Sequence, residues 1–213
     1  NSAAAKQAFE AALKIDKSFW YSSSGLIQAK RSGYTLYNKA FYLANNSLYI
    51  KDDVKRQAQL DKSLELFKKS REEIKEEKWK WLVDDGEAWV SYYKKDYEKA
   101  KEGFTTVIKK QPKAYLSHRG LSYVAAAEKK WDDAGKSLYK SLSLAPYQGV
   151  GIYTFITKEL IENEKFKSAK DILEFGEKIY PYSGDIQFLL AKTYKGMKDN
   201  DKSAKKATIA ASL

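Results

Sequence analysis

The fold is decided by residues 97–112, which read YEKAKEGFTTVIKKQP. This stretch carries a small residue, Ala100, then a bulky one four positions later, Phe104, and finally Pro112. Residues four apart lie on one face of an α-helix, so Ala100 and Phe104 share a face. Proline cannot continue a helix and biases the residue before it away from helical angles. The stretch therefore predicts a helix that ends just before Pro112.

The same pattern recurs three more times towards the carboxyl end of the chain. It is carried by Trp131–Ala134 with Leu138 and Pro146, by Phe166–Ala169 with Leu173 and Pro181, and by Lys202–Ala204. The alanines are spaced by 34, 35 and 35 residues, and the prolines by 34 and 35. Two independent markers therefore keep one period, which indicates an internal repeat.

The pattern resembles the tetratricopeptide repeat, a helix-turn-helix unit of about 34 residues. In that family a small residue in the second helix lets the first helix pack closely, a large apolar residue follows one turn later, and proline ends the second helix. Two phrases match closely, namely Lys95–Ala100 and the pair Leu190 and Ala191 followed by Tyr194. The resemblance implies an all-α superhelix, a solenoid of antiparallel helix pairs, and it is clearest over residues 81–213.

Residues 1–80 match the repeat less well. A group that looks like a second helix stands at the very start, which indicates that the chain begins inside a repeat and is processed or cut from something longer; its members are Ala5, Phe9, Ala12, Leu13 and Asp16. Ala40 follows Ala5 by 35 residues and marks a divergent unit over about 18–52. Residues 53–80 read as one long amphipathic helix, with apolar positions at Val54, Ala58, Leu64, Phe67 and Ile74. We expect about a dozen helices, no sheet and one continuous solenoid.

Composition supports a folded helical chain and excludes some chemistry. Hydrophobic residues make up 43% of the sequence and aromatic residues 14%, enough to fill a core. Only three prolines and eleven glycines interrupt the chain, which favours long helices over many short strands. No apolar run reaches the length of about 18 residues that a membrane-spanning helix needs. The lack of cysteine excludes disulfides, thiolate metal sites and cysteine nucleophiles, and it leaves a cytoplasmic and a bacterial periplasmic or exported location both open.

Side chains able to carry catalysis are scarce, so we expect no enzyme, no cofactor and no metal site. His118 is the single histidine, and in the first turns of a helix it is typical of a capping or surface group. Paired carboxylates at 52–53, 84–85 and 132–133 fall at predicted helix starts. Acidic residues there complement the helix dipole and cap unpaired N–H groups, which needs no catalytic explanation.

The formal charge of +11 raises the question of nucleic acid. Four of the 39 basic residues are arginines, the residue usually chosen for bidentate phosphate recognition; these are Arg31, Arg56, Arg71 and Arg119. A surface dominated by lysine favours a solvated face over a specific nucleic-acid site. Trp79 and Trp81 alternate with lysine, but two residues apart on a helix point about 200° from each other. We therefore expect one buried and one partly exposed indole rather than a stacking platform.

The family resemblance also implies a binding surface, a groove lined by the first helices of the repeats. Its inward positions carry over to this chain as Trp89, Tyr92, Tyr93, Arg119, Tyr123, Lys158, Lys192 and Lys195, with Leu116, Thr154 and Phe188 beside them. The aromatic side chains would anchor a partner and the cations would favour an acidic one. For Trp89 and Tyr123, filling the core between repeats is the alternative interpretation.

The sequence thus predicts a scaffold that binds a peptide or partner protein in its groove. Two alternatives stay open. The chain could be a non-catalytic repeat segment of a larger bacterial enzyme or of a secretion or envelope component. It could also be a nucleic-acid binder driven by lysine charge. The partner's identity and the oligomeric state are not predicted.

Overall fold

A computed structural model describes residues 32–213, and that part of the chain holds ten α-helices, two short 3-10 helices and no strand. The helices are α1 (Ser32–Asn46), α2 (Asp53–Glu73), α3 (Trp81–Tyr93), α4 (Tyr97–Lys110), α5 (Tyr115–Ala127), α6 (Trp131–Leu144), α7 (Val150–Glu162), α8 (Phe166–Ile179), α9 (Gly184–Gly196) and α10 (Asn200–Ser212). The 3-10 helices are Ser47–Tyr49 and Glu77–Trp79. The predicted all-α fold is confirmed. The helix expected around Ala5–Asp16 lies outside the described residues.

The chain divides into two compact units, a first that ends at Asp96 and a second that spans Tyr97–Leu213. In the second unit, first helices of 13 residues alternate with second helices of 14 residues, except that the last helix, α10, has 13. The spacing from Pro146 to Pro181 is 35 residues instead of 34 because the turn after Pro146 has three residues before α7 instead of two. Gly149 in that turn has a φ of 93°, which a side chain would strain.

The small residues that carry the period share one position in the second helices. Ala100, Ala134 and Ala169 are each the fourth residue of a second helix and are fully buried. The prediction for Ala204 was wrong, because this residue is exposed. Ser203 is the fourth residue of α10, and its hydroxyl donates to the carbonyl of Ala191 at 3.0 Å. A serine thus takes the alanine's place.

The turn from each first helix to its second helix uses one backbone conformation. Its middle residue has a positive φ of 58° to 64° at four positions, Lys95, Lys129, Glu164 and Lys198. The N–H of Lys129 donates to Ala126 at 2.9 Å and that of Lys130 to Ala125 at 2.8 Å, which is the Schellman pattern of helix ends. Glycine is the usual residue there, because a side chain in this region costs about 1–2 kcal/mol.

In the first unit, α2 packs against α1 through a stripe of mixed polarity. The buried residues of α2 are Leu60, Ser63, Phe67 and Ser70. The Ser63 and Ser70 hydroxyls donate to backbone carbonyls of α1 at 2.7 Å, which satisfies both polar groups within the core. The predicted apolar stripe was therefore partly wrong, since Val54 is 80% exposed.

The predicted helix over 53–80 was too long. The structure ends α2 at Glu73, because Ile74 adopts extended angles and its buried side chain joins the core of the first unit. A short 3-10 helix then leads into α3 at Trp81. Trp79 and Trp81 consequently lie in different elements, and both are half-buried against that core. The expectation of one buried and one partly exposed indole was wrong for this reason, since neither indole is fully buried.

The last helix, α10, has no buried residue and is held to its neighbours by polar contacts. Lys206 of α10 pairs with the Glu177 carboxylate of α8. Gln187 of α9 donates to the same carboxylate at 2.8 Å. The Tyr194 hydroxyl of α9 donates to Glu174 of α8 at 2.5 Å. The Lys206–Glu177 ion pair therefore joins α10 to α8, and the other two hydrogen bonds join α9 to α8.

Candidate functional site

The three aromatic residues predicted to bind a partner from α3 form a cluster of their own in the first unit. The Trp89 ring lies 5.8 Å from the rings of both Tyr92 and Tyr93, measured between centroids. The Tyr93 hydroxyl donates to Asn45 of α1 at 2.6 Å. Trp89 is only 2% exposed, so it has almost no surface to offer a partner, and the core-filling interpretation replaces the predicted contact. Tyr92 and Tyr93 are half-buried.

In the second unit, α5 places two predicted residues on one face. Arg119 and Tyr123 are the fifth and ninth residues of this helix, and both are half-buried. The Tyr123 ring packs against Phe155 of α7, with 5.5 Å between the ring centroids. Arg119 donates to the Gln148 side chain at 3.2 Å. Burial raises the pKa of the Tyr123 hydroxyl, and the nearby Arg119 charge offsets this only in part.

Phe155 was missed by the sequence analysis, which chose its neighbour Thr154. Thr154 is buried, whereas Phe155 is 59% exposed. This shift of the exposed position from Thr154 to Phe155 coincides with the extra residue in the turn before α7. An aromatic residue one position from a predicted groove residue was the available signal. Lys158, one turn further along α7, is exposed as predicted.

The helix α9 carries the most open part of the predicted site. Phe188, Lys192 and Lys195 follow one another at intervals of four and three residues, so they share one face. Phe188 is 52% exposed, and the Lys192 ammonium lies 4.9 Å from the centre of its ring. This distance falls within the range of a cation–π interaction. A predicted cation and a predicted aromatic side chain are thus brought together.

We call these outward side chains of α5, α7 and α9 the first-helix face. Its members are Arg119, Tyr123, Phe155, Lys158, Phe188, Lys192 and Lys195. Within residues 32–213, no carboxylate pairs with Lys158, Lys192 or Lys195. The face therefore combines exposed aromatic rings with unneutralised positive charge.

Groups suited to catalysis are engaged in structural contacts. The His118 ring donates to the Pro112 carbonyl at 3.0 Å, and burial lowers the pKa of this histidine. Asp52 caps α2 by accepting from the Lys55 N–H at 2.9 Å. Asp132 lies in the first turn of α6 and accepts from Lys165. In the described part of the chain, no group of three or more histidine, cysteine or acidic residues could hold a metal ion.

Two arginines stabilise the first unit. Arg71 of α2 donates to Asp84 at 2.6 Å and to Glu87 at 2.7 Å, and both acceptors lie on α3. Arg56 pairs with Asp53 within α2. The Arg71 guanidinium joins α2 to α3 and that of Arg56 is paired within α2, which gives no support to the nucleic-acid interpretation. Arg31 lies outside the described residues.

Comparison with solved structures identifies the fold. MamA from AMB-1 matches with a TM-score of 0.58 at 13% identity, over 85% of this chain and 91% of that one. A kinesin light chain with nearly identical TPR-like repeats, from Podosopora anserina, gives 0.56 at 12% identity, over 82% and 93%. MamA from Desulfovibrio magneticus RS-1 gives 0.54 at 16% identity, over 82% and 94%.

The sequence itself matches no protein-family model and no curated protein. No helix among residues 32–213 is long and apolar enough to cross a membrane. Sequence identities this low are evidence for the fold alone. That fold agrees with the period of about 34 residues and with the buried small residues. The chain is therefore a tetratricopeptide-type helical repeat protein in its fold.

Proposed function

We propose that this chain is a protein-interaction scaffold that binds an acidic peptide segment of a partner on the first-helix face of its second unit. The observation that carries the proposal is the half-exposed Phe188 ring with the Lys192 ammonium 4.9 Å from its centre. An exposed aromatic ring on a rigid helix offers contact area at low entropic cost. The adjacent cation favours a partner that brings negative charge.

A second aromatic side chain lies one first helix away. Phe155 of α7 is 59% exposed and is fixed on one side by the half-buried Tyr123. Packed first helices lie about 8–10 Å apart. A peptide in the polyproline II conformation rises about 3.1 Å per residue and brings every third side chain to the same face, so two of its apolar side chains three residues apart would reach both rings.

The charges of the face support an acidic partner. Lys158, Lys192 and Lys195 are exposed and have no carboxylate partner among the described residues. Exposed lysines of this kind accelerate association with an acidic partner and make it sensitive to salt. The aromatic rings should set how long the complex lasts, because they contribute buried contact area.

A display library of random linear peptides tests the proposal on the full chain. We expect peptides enriched in aspartate and glutamate, with two apolar residues spaced by about three positions. Phe188→Ala should then weaken a selected peptide by about tenfold or more, equivalent to at least about 1.4 kcal/mol of binding free energy. Lys192→Gln should mainly lower the association rate.

Tyr182→Ala is the matched control, because this residue is 83% exposed but lies in the turn before α9 and is not a member of the first-helix face. It should leave peptide affinity unchanged. If no peptide is enriched, or if selected peptides bind the Phe155→Ala, Phe188→Ala double variant as well as the parent, the proposal is wrong.

A further inference from the structure

We propose that the first unit carries a second docking surface, specific for an anionic lipid bilayer, at the corner where α1 leads into α2. This goes beyond the peptide site, which uses other residues in the other unit. The corner is defined by Tyr42, Leu48, Tyr49 and Val54. Their side chains are 65%, 62%, 83% and 80% exposed, in that order. Four large apolar side chains exposed within 13 residues of sequence are more than scattered surface residues would give.

Three backbone carbonyls at this corner accept hydrogen bonds. The buried Ser47 hydroxyl donates to the Ala44 carbonyl at 2.7 Å, and the Ile50 N–H donates to the Ser47 carbonyl at 3.1 Å. Gln59 of α2 donates to the Leu43 carbonyl at 2.8 Å and ties the two helices together. Unsatisfied backbone groups oppose entry into the apolar part of a bilayer. This corner can therefore present its side chains there without uncovering these carbonyls.

The charges around the corner favour an anionic surface. Lys39, Lys51 and Lys55 are exposed, and none of them pairs with a carboxylate of the described chain. The nearby acids are engaged, since Asp52 caps α2 and Asp53 pairs with an arginine one turn later. Long lysine side chains can keep their charge among lipid headgroups while apolar neighbours enter the interface.

The residue types also fit the bilayer interface. Tyrosine concentrates at the level of the headgroups, because its ring is apolar and its hydroxyl is polar. Tyr42 and Tyr49 would lie at that level, with Leu48 and Val54 deeper. The insertion is shallow and lies in the plane of the surface, so it needs no membrane-spanning helix.

Co-sedimentation of the full chain with vesicles tests this inference. We expect binding to vesicles of phosphatidylcholine with phosphatidylserine, weak binding to phosphatidylcholine alone, and loss of binding as salt rises. The triple variant Leu48→Ser, Tyr49→Ser, Val54→Ser should bind at least tenfold more weakly. Lys51→Gln and Lys55→Gln should each cost about fivefold on anionic vesicles, the equivalent of about 1 kcal/mol for each charge.

The double variant Tyr147→Ser, Tyr182→Ser is the control, because these tyrosines are 77% and 83% exposed in turns of the second unit. It should bind vesicles as the parent does. The inference is overturned if anionic vesicles capture no protein, or if the triple and control variants lose binding equally. It is also overturned if the triple variant abolishes self-association in lipid-free solution while vesicle binding persists. Peptide binding by the triple variant stays at the parental level, which separates this test from that of the proposed function.

Discussion

Replacing Gly120 with alanine tests the close helix crossing of the second unit, because sequence propensity and packing predict opposite signs. An added Cβ at Gly120 would lie 2.3 to 2.5 Å from three atoms of the Phe104 ring. Favourable contacts between carbon atoms need about 3.5–4.0 Å, so the ring would have to move by more than about 1 Å. Phe104 is fully buried, so its ring can move only by displacing its neighbours or by occupying a void between them.

The two effects can be compared in magnitude. Helix propensity alone would make Gly120→Ala stabilising by about 1 kcal/mol. Overpacking a buried site costs about 1–3 kcal/mol, and a clash with three ring atoms belongs at the upper end of that range. We expect a net loss of about 1–2 kcal/mol. For a chain of this size, each kcal/mol lowers the melting temperature by about 2–4 °C.

Thermal and urea unfolding, followed by far-ultraviolet circular dichroism, measure the effect. Gly151→Ala is the control, because an added Cβ there meets nothing within 4 Å. It should melt at or above the parental temperature. Replacing Phe104 with the smaller leucine should relieve the clash. Gly120→Ala should therefore lower the free energy of unfolding by less in a Phe104→Leu background than in the parent. If Gly120→Ala melts at or above the parent, the packing argument is refuted.

Four further outcomes are expected. Ala134→Leu should cost about 1–3 kcal/mol in thermal unfolding, because Ala134 is fully buried where α6 packs; an unchanged melting temperature would contradict the repeat register. Lys129→Gly should stabilise the chain by up to about 1 kcal/mol, because the φ of 59° at this position favours glycine; Lys130→Gly, next to it, should not. Burial alone would raise the pKa of Glu177, but hydrogen bonds from Lys206 and Gln187 outweigh it and hold this pKa below its usual range. Since the folded-state pKa is the lower one, this stabilisation is present above the unfolded pKa of about 4.5 and is lost as pH falls through the folded value. Glu177→Gln should therefore unfold with less dependence on pH between about pH 6 and pH 3. Tyr123→Ala should lower the free energy of unfolding by less than the loss of about 3–5 kcal/mol expected for a fully buried aromatic residue, because Tyr123 is half-buried against Phe155. Urea unfolding measures this loss, and a value within that range would contradict the expectation.

The helix pairs of the second unit could be predicted because their period is marked by residues with one structural role. Ala100, Ala134 and Ala169 are small where helices cross, and prolines end the second helices. The sequence pattern did not identify Ser203, because the role of this residue depends on its small size and its hydrogen bond. The exposed Ala204 beside it matched the pattern by residue type. This position requires a small side chain, and alanine is only the commonest residue that meets the requirement.

The first unit was harder to predict because its core includes polar side chains. Ser63 and Ser70 are buried on α2 through hydrogen bonds to the α1 backbone, which the hydrophobic pattern does not reveal. The same pattern assigned Val54 to the core, but this residue is exposed at the corner. The early end of α2 depends on Ile74 entering the core, a tertiary effect that local propensity does not contain.

Some residues of the candidate site are exposed where the sequence pattern expects them, and others are not. The cations Lys158 and Lys192 are exposed where the family pattern places them. Trp89 occupies the same ninth position of its helix, yet it is buried in an aromatic cluster. Whether a predicted groove residue is exposed therefore depends on what packs beside it. On α7 the exposed residue is Phe155, one position after the predicted Thr154, which is buried.

Photo-crosslinking measures most directly whether the first-helix face binds a partner. A selected acidic peptide that carries a benzophenone group would be irradiated on the full chain, and the attachment sites would be found by mass spectrometry. We expect attachment within α5, α7 and α9, concentrated around Phe155 and Phe188. Attachment mainly to the second helices α4, α6 and α8, or to residues of the first unit, would contradict it.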